Sequence, residues 1–474
     1  MSTPAAQALV IGSGAGGATT ARVLAEAGMD VLVVEEGPWI EPGSVAPFSL
    51  AEMDLAYRHH GSSAAMGNPP IAYAEGRCVG GSTEINSGLW AHPADEVVRG
   101  WASAFAIDEL TPEVLADHAA QIETWVPVHT VPGTPPAASV VLAQGADALG
   151  WRSTELPRAF AYDHRGRGTK QSMSRTLLPA AMAAGARVEA ETRVTRLLLD
   201  RGRARGAAVV TTHPDGRRER RTIEADVVVC CAGAVQTPAL LQRSGLRRGV
   251  GSGLRMHPTL KVVARFPEAV DPGDVPMHRI TEFSPGLAIG GSASRPGHVA
   301  LALLDRSAAG AEARDDWDHL AVYYAAIRSD RPGRVRALPG LRAPLVTYPV
   351  TDADLSRLTR GLVLLGEALL AAGAVELIPA VEGAPSARSV ADLHHWWDAV
   401  DRRRASLMTV HLTSSIGMSE DPRRSRADSF GAIRGVAGLR VNDASLLPDA
   451  PGVNPQATVM AIAHRNAQNL LSTR

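Results

Sequence analysis

A chain of 474 residues, 45% of them apolar, is long enough to bury two cores and is not disordered. Its 48 basic and 49 acidic residues leave a formal charge of -1, which gives no footprint for nucleic acid or an anionic membrane and points to a small-molecule partner. Three cysteines (Cys78, Cys230, Cys231) form neither a disulfide framework nor a CxxC metal site, and there is no basic leader or membrane-length apolar run, so a cytoplasmic protein without a metal is expected.

In chain order, QALVIGSGAGGATTARVLAEAGMDVLVVEEGP predicts a buried strand over 8–11, an amphipathic helix over about 16–27 and a second strand over 31–34. Gly12, Gly14 and Gly17 occupy GxGxxG positions: a sharp turn, a close backbone approach to a pyrophosphate, and tight packing of helix on strand. Glu35, at the end of the second strand, can accept from both ribose hydroxyls of an adenosine. The unit predicts a dinucleotide site without choosing between NAD and FAD. A second glycine-rich stretch, GRCVGGSTEINSGLW (76–90), lets Gly80-Gly81-Ser82 approach a ligand and offers Asn86 as donor and acceptor. Two such loops suggest one long cofactor spanning both.

Residues 101–165 are helical, rich in Trp and Pro, and are expected to cover the cofactor and part of a substrate cavity. The Arg-rich segment 200–221 reads as a solvated hairpin, and the near absence of Lys, with Lys170 and Lys261 alone, as genomic base composition. ADVVVCCAGA (225–234) is a parallel strand covered on both faces, delivering Ala232 and Gly233 to the carboxyl edge of the sheet, with Cys230 and Cys231 as packing residues. Thr237 as N-cap and Pro238 at the first position then start a helix. From 259 to 410, LKVVARF, HVALALL, HLAVYYAAI and APLVTYPV predict strands of an antiparallel sheet. Residues 351–374 form a long amphipathic helix capped by Asp352 or Asp354, and VMAIAHRNAQNL, with His464, a closing helix on the first unit.

These motifs, in this order, resemble the glucose-methanol-choline (GMC) oxidoreductases, flavoproteins that oxidise alcohols. Residues 76–90 are similar to the family's first signature and CCAGAVQTPALLQRSG (230–245) to its second, with Arg247 where a glycine is usual; SGLRMHP (252–258) is like its loop before the substrate domain, which implies a structural His257. The resemblance implies an α/β fold: a discontinuous Rossmann-like FAD domain (1–100, 166–258, 430–474) and a substrate domain on an antiparallel sheet backed by helices (101–165, 259–429). It implies cofactor contacts at Gly12, Gly14, Ala15, Gly17, Glu35, Gly80, Gly81, Ser82, Asn86, Leu89, the Val194 backbone, Ala232, Gly233, Asp443, Ala444, Pro455 and Gln456. Ile85 stands where some relatives carry the histidine that tethers flavin, so non-covalent FAD is expected.

Alcohol oxidation needs a base for the hydroxyl proton and a donor for the developing alkoxide. The family's His/Asn pair falls on His411, in MTVHLTSSIGM, and Asn454, in PGVNPQ; Ser414 and Ser415 replace a Gly-Thr common in relatives. A sugar, aminosugar or polyol in secondary metabolism is the expected substrate, with Glu282, Asp315 and Asp316 available for a cationic aminosugar. The electron acceptor, O2 or another, and the oligomeric state are left open. An NAD-dependent dehydrogenase and a non-redox FAD-containing lyase are the alternatives.

Overall fold

The computed structural model describes residues 6–270, 275, 277–303 and 316–473. One layer is a seven-stranded sheet in the order Arg187–Glu189, Val31–Val34, Ala6–Ile11, Arg218–Cys230, Arg203–Thr212, Thr192–Asp200, with Leu439–Val441 joined to Arg218–Cys230. The expected βαβ unit is present as Ala6–Ile11, helix Ala15–Glu26 and Val31–Val34. The expected hairpin and the buried strand after it share one 13-residue strand, Arg218–Cys230. Its first half pairs antiparallel with Arg203–Thr212 and alternates exposed and covered residues; its second half pairs parallel with Ala6–Ile11 and is wholly buried over its last four residues.

The closing helix, Gln456–Ser472, packs on helix Ala15–Glu26 and on helix Pro112–Trp125. Buried Asn442 pins this junction: its amide donates to Thr20 Oγ1 and the Ala463 carbonyl, each at 2.9 Å, and its oxygen accepts from Asn466 at 3.0 Å.

The other layer is a nine-stranded sheet in the order Ser63–Ala65, Ile71–Tyr73, Leu407–Thr409, Thr259–Arg265, Leu320–Ile327, Leu287–Gly291, His278–Ile280, Ser153–Glu155, with Glu376–Pro379 also paired to Thr259–Arg265. All its pairs are antiparallel except Ile71–Tyr73 with Leu407–Thr409. Val262, Ile289 and Tyr323 on one face join Leu358, Leu362 and Leu365 of helix Asp352–Ala371 in a single core. The packing cuts across residue 101: Ser63–Ala65 and Ile71–Tyr73 lie in this second sheet, whereas Pro112–Trp125 rests on the first layer. Among the described residues no helix is long and apolar enough to cross a membrane.

Several local expectations fail for identifiable reasons. The first five residues of HVALALL fall on helix Pro296–Ala302, with Pro at its first position and Val299 and Ala302 packed against Val263 and Val322 of the sheet, and Leu304 lies outside the described residues. In APLVTYPV only Leu345–Thr347 is a strand, paired with Arg334–Arg336 in a separate hairpin. The long helix is capped by Thr351 in a reciprocal arrangement, Asp354 N–H onto Thr351 Oγ1 (3.0 Å) and Thr351 N–H onto Asp354 Oδ2 (2.9 Å). The helix expected to start at Thr237 spans Gly233–Arg243, with Pro238 inside it. Proline removes the N–H that would reach the Ala234 carbonyl, and Ser415 Oγ donates to that carbonyl instead, at 2.6 Å.

Candidate active site

The two glycine loops meet. Gly12 turns at φ +100°, and a Cβ there would lie 2.4 Å from the Cys231 carbonyl oxygen, so only glycine fits; Gly17 packs directly over the Gly12 carbonyl. A Cβ on Gly81 would come 2.9 Å from Gly14 Cα, and Gly80 N–H donates to Ser13 Oγ at 3.0 Å. Helix Ala15–Glu26 begins at Gly14 with no side-chain cap and no acidic residue in its first turn. Its N–H groups and positive dipole end are therefore open to an anion. A Cβ at Gly14 would be in van der Waals contact with Gly81 Cα, at 3.9 Å. Ser82 starts a short helix over Ser82–Ile85, its Oγ accepting from Gly76 N–H at 2.9 Å.

Glu35 stands behind this turn. It accepts from Ser13 N–H (3.0 Å), Ser13 Oγ (2.7 Å) and Gly37 N–H (3.0 Å). Burial raises its pKa, against those hydrogen bonds and the charge of Arg58, which lower it. The Glu35 carbonyl accepts from Thr192 N–H at 2.7 Å, so strand Thr192–Asp200, with half-buried Val194, runs beside the carboxylate.

Further along the same edge, Asp443 is wholly engaged. One oxygen accepts from Gly233 N–H (2.8 Å) and Thr237 Oγ1 (2.5 Å), the other from the Ser445 N–H and hydroxyl. The carboxylate thus fixes Ala232–Gly233 and Ala444 in place, with the Ala232 N–H held by Thr237 Oγ1 at 2.9 Å; beyond Gly233, at φ +87°, the space is open. Asn86 donates to Gln456 Oε1 at 2.6 Å and accepts from Gly88 N–H at 3.0 Å, joining the second glycine stretch to the first residue of the closing helix. That helix starts at Pro455, again without a side-chain cap or an acidic first turn. Leu89, three residues beyond Asn86, is bridged to Arg158. Lys170, given no role in the sequence reading, is a structural part of the site: its Nζ donates to the Glu84 and Asn86 carbonyls and holds the loop.

His411 and Asn454 come together from 43 residues apart, His411 Nε2 to Asn454 Nδ2 at 3.4 Å. His257, expected to be merely structural, is in contact with His411: the two Nδ1 atoms are 2.9 Å apart. Pairing of Thr259 with Met408 brings the two segments side by side. Gly452 N–H donates to His257 Nε2 at 3.2 Å. A backbone N–H can only donate, so neutral His257 carries its proton on Nδ1 and gives it to His411 Nδ1 in this arrangement. Burial, and then the charge of Arg279, push His411 down to about 4. The SGLRMHP motif marks His257 but not its contact with His411, which pairing of Met256 with Leu412 brings about. His464 lies elsewhere, against His118.

Two family models described as GMC oxidoreductase match the chain, over residues 7–259 and 330–463. A GMC-type oxidoreductase of Sinorhizobium fredii is 40% identical over 489 residues, covering 98% of this chain and 95% of that protein. A long-chain-alcohol oxidase of Arabidopsis thaliana is 24% identical over 523 residues, covering 96% of this chain and 65% of that protein. Among solved structures, pyridoxine 4-oxidase from Mesorbium loti superposes with a TM-score of 0.75 at 20% identity, covering 98% of this chain and 99% of the other.

Proposed function

The chain belongs to the GMC oxidoreductases, its cofactor is FAD and it acts on an alcohol, and from that premise we propose that His411 and Asn454 carry the reaction on a small-molecule hydroxyl. The meeting of His411 Nε2 and Asn454 Nδ2 beside the uncapped helix start at Pro455 supports this reading. The residues present fit the cofactor. The open N-terminus at Gly14 with Ala15, the Gly80–Gly81 loop and Ser82 would hold the pyrophosphate, while Glu35 and the Val194 backbone would take the adenosine. The backbone of Ala232, Gly233, Asp443 and Ala444 would follow the chain of the cofactor, and Asn86, Leu89, Pro455 and Gln456 would border the flavin ring.

Bound FAD supplies the hydride acceptor. The protein's share is to place the hydroxyl between His411 and Asn454. Asn454 Nδ2–H donates to the oxygen as charge develops, and His411 Nε2 takes the proton. For Nε2 to be free, the proton between the two imidazoles must sit on His411 Nδ1. The 3.2 Å Gly452–His257 contact favours the opposite tautomer, so it has to break for His411 to act as the base. Both rings are neutral near pH 7, because burial comes first in lowering each.

The acidic residues expected to hold an ammonium are engaged at the surface, Glu282 with Arg152 at 2.8 Å and Asp316 with Arg265 at 2.9 Å; Asp315 lies outside the described residues. Buried Ile85 packs with Ala56 and Cys78 and offers no nucleophile, in keeping with non-covalent FAD. Acid precipitation should leave the flavin in the supernatant; a yellow pellet would contradict this. Anaerobic mixing with a panel of alcohols should bleach the flavin, and admission of oxygen then separates an oxidase from a dehydrogenase. A holoprotein that turns over substrate without bleaching would be a lyase on this scaffold.

A further inference from the structure

The face of the nine-stranded sheet turned away from helix Asp352–Ala371 carries a polar row. Register pairs Lys261 with Tyr324, Tyr324 with Gly290 and Gly290 with Arg279, so these four positions lie side by side on one face. Neighbouring Tyr323 is buried on the helix side, which turns Tyr324 and its row the other way. A Cβ at Gly290 would lie 2.9 Å from the Tyr324 hydroxyl, so the glycine makes room for it.

Arg279 is 5% exposed, yet no carboxylate among the described residues pairs with it. Its Nη2 donates to the Gly452 carbonyl at 2.9 Å and reaches Ser284 Oγ at 3.4 Å, while its buried Nε has no partner. The nearby carboxylate, Asp449, is taken by Arg255 at 2.8 Å and Arg328 at 3.6 Å. The N–H of Gly452 contacts His257, so the guanidinium stands one residue away from the histidine pair. The Lys261 ammonium also has no ion pair or hydrogen bond among the described residues, and desolvation pushes it down to about 8. Buried cations ordinarily carry a counter-charge; among the described residues Arg279, beside the reaction centre, has none, and half-buried Lys261 farther along the same face has none either.

We propose that the substrate is an alcohol that also bears an anionic group, a carboxylate or phosphate, held by Arg279 with the Tyr324 hydroxyl and Lys261 extending the cradle. This rests on the His411–Asn454 reading for the reacting end of the molecule. Arginine's fixed fork suits either oxyanion, and its unbonded Nε is available for it.

The test uses the FAD holoenzyme and matched probes: hydroxyalkanoates against diols of the same chain length, and glycerol phosphate against glycerol. In anaerobic flavin reduction the anionic partner of a pair should be favoured at least about 10-fold, a carboxylate partner pointing to a carboxylate and glycerol phosphate to a phosphate. Arg279→Met should erase the preference, Arg279→Lys should restore part of it, and Lys261→Met should reduce it less. A merely structural role would lower both members of a pair together. Acetate and inorganic phosphate, titrated against the flavin absorbance, provide a second readout: binding by the wild type that Arg279→Met abolishes supports the proposal even if no probe is oxidised. Neutral alcohols bleaching the flavin as fast as anionic ones would overturn it while leaving alcohol oxidation standing. Anion binding without bleaching by any alcohol would overturn the His411–Asn454 reading instead, and no binding by either anion would overturn the anion site.

Discussion

His257 and His411 approach through their Nδ1 atoms at 2.9 Å, and His118 and His464 do the same at 2.8 Å. In both pairs burial is the main cause holding the rings neutral, and His411 and His464 are each pushed down to about 4. The surroundings differ. His464 lies between helix Pro112–Trp125 and the closing helix, with the Trp125 ring edge-on at 5.2 Å and Gln468 of its own helix 3.4 Å from Nε2. His411 faces Asn454, with the unpaired Arg279 guanidinium and the Gly452 peptide behind it. The ring contact is common to packing and to chemistry; what Nε2 faces separates them.

Changing each pair in turn can break that distinction. The largest effect should come from His411→Ala, which is expected to slow flavin reduction by about 10²–10⁴-fold, the usual range for losing a general base. His464→Ala should react at near the wild-type rate, and equal losses in stopped-flow traces would erase the contrast. Asn454→Ala should follow, with a loss of about 10²–10³-fold, the cost of one oxyanion donor, while the bound-flavin spectrum persists.

A smaller change, roughly 10-fold, is expected for His257→Asn, since His257 acts through His411. The pH profile is the sharper readout. Wild-type flavin reduction should be flat above neutrality and fall as pH drops through about 4, where His411 takes a proton. The amide oxygen introduced by His257→Asn would accept from His411 Nδ1–H and favour imidazolium, so this limb should move up in pH; His118→Asn should leave it in place.

The smallest effect concerns stability. His298, His411 and His464 are each held at about 4, below the ordinary value of 6.5. The unfolded chain binds protons first, so their contribution is complete above pH 6.5 and is lost progressively as pH falls through about 4. Urea midpoints should decline over that window, and His464→Gln should flatten part of the decline without altering turnover.

The first βαβ unit was legible because its pattern is local: strand, glycine turn, helix and acid fall within residues 6–35, even though Gly12 and Gly14 also meet Cys231 and Gly81 from far along the chain. The errors arose where a distant residue decides a local matter. Pro238 is tolerated mid-helix because Ser415 supplies the missing donor from 181 residues away. Residues 296–302 have strand-like composition but coil into a helix that packs over Val263 and Val322. His411 and Asn454 were marked by motif, whereas His257 joins the site through pairing of Arg255–Met256 with Leu412–Thr413 and of Thr259 with Met408, and Arg279 through sheet register and the Gly452 carbonyl.

The Asn442 junction ties Thr20 in the first helix to Ala463 and Asn466 in the closing one. Seen from the ribosome, this imposes a delay. The glycine turn emerges early, but its supporting helix and the Asn454–Gln456 corner emerge after roughly 20–90 s of further synthesis. Through that interval the nascent chain exposes the apolar flank of Ala15–Glu26, a surface for chaperones to shield until the last segment docks.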